Sequence, residues 1–139
     1  MKIEPTGVSM RPLIRGGRDM VIVEPMRREP EPGDIVLFLR ADGAQVMHRV
    51  WKITGETVTT YGDGCWYPDE PINKEKIIGL ATKLYRGKAG KSKPEGKPTN
   101  LNTKFRRKTG LLWVNAAPLR RTYYRVRNIG HSIKRRLFS

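Results

Sequence analysis

Five short runs rich in β-branched and aromatic residues crowd the first 85 positions, and they leave no room there for a long helix. They are Met20–Val23, Asp34–Leu39, Gln45–Thr54, Thr57–Tyr61 and Ile77–Tyr85. Runs of this length, bounded by Gly, Pro, Asn and Asp, read as strands. Arg27 to Gly33 reads as a polar loop, Ala41-Asp42-Gly43-Ala44 as a hairpin turn, and Gly55-Glu56 as a second turn. Along the third run, strict alternation puts Val46, His48, Val50 and Lys52 on one face. Met47, Arg49, Trp51 and Ile53 take the other. Strands at this spacing, without helical patterns between them, predict a mainly β fold built as one small domain over residues 1–86.

The rest of the chain is different in kind. Residues 86–100 (RGKAGKSKPEGKPTN) read as a flexible linker or exposed loop, and residues 87–110 together as a basic linker. Residues 111–139 then form a tail. It opens on the apolar patch Leu111 to Val114. Leu119, Tyr123, Val126, Ile129, Ile133 and Leu137 follow at steps of four, three, three, four and four. That stripe predicts a basic amphipathic C-terminal helix, with Pro118 near its start and Gly130 weakening its middle.

Charge divides at the same place. The whole chain carries +15. Residues 1–86 hold 13 Lys and Arg against 12 Asp and Glu, whereas residues 87–139 hold 15 against a single acid, Glu95. The first part is an ordinary balanced domain, and only the tail asks for an anionic partner. Mean hydropathy of -0.58 and 37% hydrophobic residues allow only a modest core. No apolar run reaches the length of a membrane span, and MKIEPTGVSM has no apolar signal core. One cysteine, Cys65, cannot form an internal disulfide, which fits a reducing compartment. The expected location is therefore the cytoplasm.

Ser9 sits among Pro5, Gly7 and Pro12, in turn-forming sequence. A serine hydroxyl needs a neighbouring base before it becomes a nucleophile. His48, held mid-strand, is the candidate base, and Asp63 or Asp69 is the candidate carboxylate that orients it. On composition and spacing alone the blander reading is favoured: a surface serine, a strand histidine bonded to backbone, and two aspartates capping turns. Met10 and Met47 read as lining a core or a groove, Cys65 as a structural or incidental thiol, and His131 as solvated. No set of side chains has metal-ligand spacing and no glycine-rich phosphate loop is present, so no cofactor or metal is expected.

The ordered set GVSMRP, GDIVLF, VMHRV and GD, with an aspartate six residues after the last, resembles the S24/S26 peptidase clan. That clan holds the type I signal peptidases and the LexA-type self-cleaving proteins. The likeness covers about residues 3–85. It implies a small signal-peptidase-like β fold and a serine peptidase with Ser9 as nucleophile. The base stands before the arginine of the third box. It is lysine in bacterial signal peptidases and histidine in the endoplasmic-reticulum and archaeal type, which His48 matches. The aspartates of that branch match Asp63 and Asp69, with Asp69 the better placed to orient His48. Two departures stand out. Position 7 is glycine where signal peptidases often carry a serine, so oxyanion stabilisation falls to backbone N–H groups, that of Ser9 included. A membrane anchor is also missing, so exported preproteins are not the expected substrate.

The resemblance thus implies an endopeptidase whose partner is a peptide or protein bound as an extended strand. For the tail, three readings compete, in descending order. Its stripe packs on the core, or it lies on the inner face of an anionic membrane, or it holds nucleic acid, for which Trp113, Tyr123 and Tyr124 give aromatics but no motif. In the second and third the β domain could equally be a non-catalytic binding module. Either way residues 115–139 are expected to be dispensable for cleaving a short peptide, while Leu111 to Val114 can still dock on the core. The sequence is silent on oligomeric state.

Overall fold

The computed structural model describes residues 1–87 and 96–138, with side chains described through Asn128. Strand residues outnumber helical ones among the described residues, so the fold is mainly β, as predicted. The strands are β1 (Lys2–Ile3), β2 (Met20–Glu24), β3 (Ile35–Leu39), β4 (Gln45–Thr54), β5 (Thr57–Tyr61), β6 (Ile72–Asn73), β7 (Ile77–Tyr85) and β8 (Thr99–Asn100). They form one antiparallel sheet in the order β1-β2-β7-β3-β4-β5-β6, with β8 paired to β7. All five runs read from the sequence are strands. The three they miss are two-residue edge pieces, too short to carry a pattern.

Two apolar faces follow from alternation along β3. Ile35 and Leu37 join Met10, Ile14, Val21, Val23, Met47, Ala81 and Leu84 in one buried cluster. Val36 and Phe38 join Val50, Val58 and Leu80 in the other. β3 is therefore covered on both sides and forms the floor on which the rest is laid. Register shifts interrupt β2–β7, β3–β7 and β4–β5, and such bulges bend the sheet into a curled half-barrel.

One of these bulges corrects the expected faces of β4. Val50 pairs with Thr60 and Lys52 with Thr59, so Trp51 is the extra residue. Alternation reverses beyond it. Ile53 rejoins Val46 and Val50 against the second cluster, and Lys52 is exposed. Trp51 turns instead to the C-terminal helices. Its ring packs edge-on against Tyr61, with centroids 5.5 Å apart, and its Nε1 donates to Asn115 Oδ1 at 2.8 Å.

The tail is two helices, α1 (Lys104–Asn115) and α2 (Ala117–Phe138), rather than one. Helix starts at Lys104, inside the segment read as linker; residues 88–95 of that segment lie outside the described residues. β8 and the buried Leu101, whose N–H donates to Thr82 O at 2.9 Å, lead the chain back onto the sheet. Thr103 caps α1, its hydroxyl accepting from Arg106 N at 3.2 Å. The helices dock through Gly110, Val114 and Ala117, which are buried with Tyr61. Leu119, Tyr123 and Val126 are exposed, so for these residues the stripe does not pack on the core. The side chains of Ile129, His131, Ile133 and Leu137 lie outside the described residues.

Candidate active site

Ser9 lies in a tight turn fixed on the side facing the core. Arg11 N donates to Val8 O at 3.1 Å and Ile14 N to Met10 O at 3.0 Å, while Met10 and Ile14 are buried in the first cluster. Gly7 opens the turn with φ +83°, a conformation a serine would adopt only with strain. The glycine at this position is therefore what the backbone needs.

His48 is 6% exposed and sits opposite Val36 on β4, with its ring edge-on to Phe38 at 6.1 Å. Its Nδ1 meets Asp69 Oδ2 at 2.5 Å. Asp69 is held in turn by β5: its N–H donates to Thr60 O at 2.9 Å, and the Thr60 hydroxyl donates to Asp69 Oδ2 at 2.7 Å. Nδ1 thus carries the proton when the ring is neutral, which frees Nε2 to accept one. Nε2 faces Gly62. A methyl group on that residue would stand 3.0 Å from Nε2, 2.6 Å from Ser9 O and 2.6 Å from Cys65 Sγ. Only a glycine lets the imidazole and the Ser9 turn approach each other so closely.

Ser9, His48 and Asp69 line one cavity of about 500 Å³, together with Met10, Met47 and Cys65. Among the described residues no hydrogen bond joins Ser9 to Nε2, and such bonds commonly tighten only once substrate is seated. Burial disfavours the imidazolium, but the bond to Asp69, the neighbouring Cys65 sulfur and the Asp69 charge outweigh it and push the His48 pKa up to about 9.

Asp63 does not meet His48. Its carboxylate takes both arms of Arg49, from Nε at 2.8 Å and from Nη2 at 2.7 Å, and Arg49 Nη1 donates to Gly33 O at 2.8 Å. Both partners of this pair are buried. The reason lies in β4, where Arg49 points to the opposite face from its neighbour His48 and needs a buried anion of its own. Asp63 is therefore structural, although it stays near the site through its backbone. Its N–H reaches Met10 Sδ at 3.5 Å, and the next residue, Gly64, donates N–H to Ser9 O at 2.8 Å.

Cys65 is more than an incidental thiol, since its Sγ lies beside His48 and reaches toward Ser9 O at 3.8 Å. Sequence reading missed this contact, and it missed Thr60 and Arg49. For Arg49 a signal existed, in an arginine flanked by valine and histidine in the middle of a central strand. No cluster of His, Cys, Asp and Glu among the described residues could hold a metal ion.

Compared with protein-family models the chain matches none, and compared with curated proteins it also finds no match.

Proposed function

We propose that the protein is a serine endopeptidase of the S24/S26 type, with Ser9 as nucleophile, His48 as general base and Asp69 as the carboxylate that orients the base. The observation that carries this reading is the His48 ring. One nitrogen is fixed by Asp69 and the other side is turned to the Ser9 turn, in a shared cavity. In the reaction Nε2 takes the Ser9 proton as Oγ attacks the scissile carbonyl, then delivers it to the leaving amine. Water repeats the sequence on the acyl-enzyme. Asp69 stabilises the imidazolium formed in each half.

A feature of the sheet supports a peptide substrate. Among the described residues β5 pairs with β4 only from Arg49 onward, while β3 covers the other edge. Gln45 to His48 therefore present a strand edge to the cavity that Gln45, Val46, Met47 and His48 also line. An extended peptide can add to that edge and bring its carbonyl past Ser9.

The helices favour an anionic membrane surface as a second partner, ahead of nucleic acid. Phe105, Leu112, Leu119 and Val126 are exposed at intervals of seven, alongside Tyr123. The first two lie on α1 and the others on α2, and no acid follows Glu95, so only cations accompany them in the sequence. Like charge opposes pairing with a second copy, whereas a surface that is apolar below and anionic above suits both features. Among the described residues no helix is long and apolar enough to cross a membrane.

The peptidase reading is tested by a fluorophosphonate probe and a peptide-library digest, applied to the wild type and to Ser9→Ala. Labelling and cleavage by the wild type alone, with unchanged thermal stability, is the expected result. Cleavage by Ser9→Ala at the wild-type rate overturns it.

A further inference from the structure

The loop from Gly62 to Asp69 has two sides. One side faces the reacting groups, as described: Gly62 beside His48, Gly64 on Ser9 O, and Asp69 on Nδ1. The other side is gripped by the C-terminal helices. Trp113 Nε1 donates to Asp63 O at 2.7 Å, and Arg120 Nη1 reaches the same oxygen at 3.4 Å. Arg121 donates to Trp66 O, which also accepts from the Tyr61 hydroxyl at 2.8 Å. The Arg121 guanidinium lies 4.5 Å over the Tyr67 ring, and Trp66 packs edge-on to Tyr124 at 5.4 Å. Behind Asp63, α1 crosses so close to Arg49 that a methyl group on Gly110 would overlap the guanidinium.

These bonds are aimed at backbone carbonyls and loop aromatics, where packing of an amphipathic helix would need only side-chain contact. Asp69 has its own anchor in Thr60, but among the described residues Asp63 and Gly64 have none in the sheet beyond the Arg49 pair. The element they steady is the Ser9 turn, through Gly64 N and Met10 Sδ. We propose that Trp113 and Arg121 are positioning residues for the peptidase centre, setting the Ser9 turn against His48 through the Asp63–Tyr67 segment. The inference rests on the peptidase reading, and through Arg121 it reverses the expectation that residues 115–139 are dispensable for cleavage.

The test uses the full chain carrying Trp113→Phe, which keeps a ring beneath Arg120 and removes the N–H. The readouts are amide exchange at Gly64 and steady-state cleavage of a short peptide. Exchange at Gly64 is expected to quicken about tenfold, and kcat to fall about tenfold or more with KM within about twofold, because sub-ångström misplacement of a nucleophile is felt in the chemical step. Arg121→Gln is expected to do the same, and Arg121→Lys to recover part of the loss. Wild-type exchange at Gly64, wild-type kcat, or unfolding of both Trp113→Phe and Arg121→Gln each overturns the proposal. If the wild type neither cleaves nor takes the fluorophosphonate, the peptidase reading fails by itself. Gly64 exchange then still decides whether the helices hold the loop.

Discussion

At the scale of single residues, His48 sets two opposite pH dependences. A base must be unprotonated to act, so kcat/KM is expected to rise with pH along a limb centred near the imidazole pKa of about 9. Stability runs the other way. The folded pKa is raised above the ordinary 6.5, so the contribution of the Asp69–His48 pair is complete below 6.5 and is lost as pH climbs through 9. Rate profiles and thermal melts across pH 6–10 check both signs. Asp69→Asn is expected to cut kcat on the order of 10³–10⁴-fold and to bring the His48 titration, followed by NMR, down toward its ordinary value. Gly62→Ala drives a methyl group between His48 and Ser9 O, and loss of probe labelling in a folded variant is the expected outcome. Ser9, His48 and Asp69 were all legible in the sequence, but only the family resemblance, not composition or spacing, drew them together. Asp69 reaches His48 by a loop whose course depends on Thr60, and no periodicity encodes that.

At the scale of elements, β4 carries two ionic systems on successive residues. His48 looks to Asp69 and Arg49 to Asp63, and the alternation of a strand keeps them on opposite faces. Removing one member of the buried pair strands the other charge. Asp63→Ala is therefore expected to cost about 3–5 kcal/mol in denaturant unfolding, far more than its effect on the chemistry of an intact site. The sequence located the five main strands because their apolar runs are long enough to show a pattern. It could not locate the bulge at Trp51, since a bulge is a property of two strands and their register. The faces assigned to Lys52 and Ile53 failed for that reason. β8 escaped because its two residues, Thr99 and Asn100, bury little and owe their strand geometry to β7.

At the scale of the whole molecule, the excess of positive charge and the exposed stripe lie on the same helices. Replacing Leu119 and Val126 with Glu is expected to abolish sedimentation with anionic vesicles while leaving thermal stability within about 0.5 kcal/mol, since both side chains are exposed. Neutral vesicles should hold the wild type weakly, and raised salt should release it from anionic ones. Retention on duplex DNA with indifference to vesicles would favour the nucleic-acid reading instead. The amphipathic stripe was visible in the sequence. Its direction was not, because Gly110, Val114 and Ala117, which decide the docking face, are too small or too few to show as a stripe. The grip of the helices on the Asp63–Tyr67 segment also orders events in time. Ser9 leaves the ribosome far ahead of Trp113 and Arg121, so a nascent chain exposes the Ser9 turn long before the helices that contact its neighbouring loop exist. On the peptidase reading proposed above, a chain assembled in that order is expected to leave its neighbours, and its own unfinished chain, uncut until synthesis has passed the second helix.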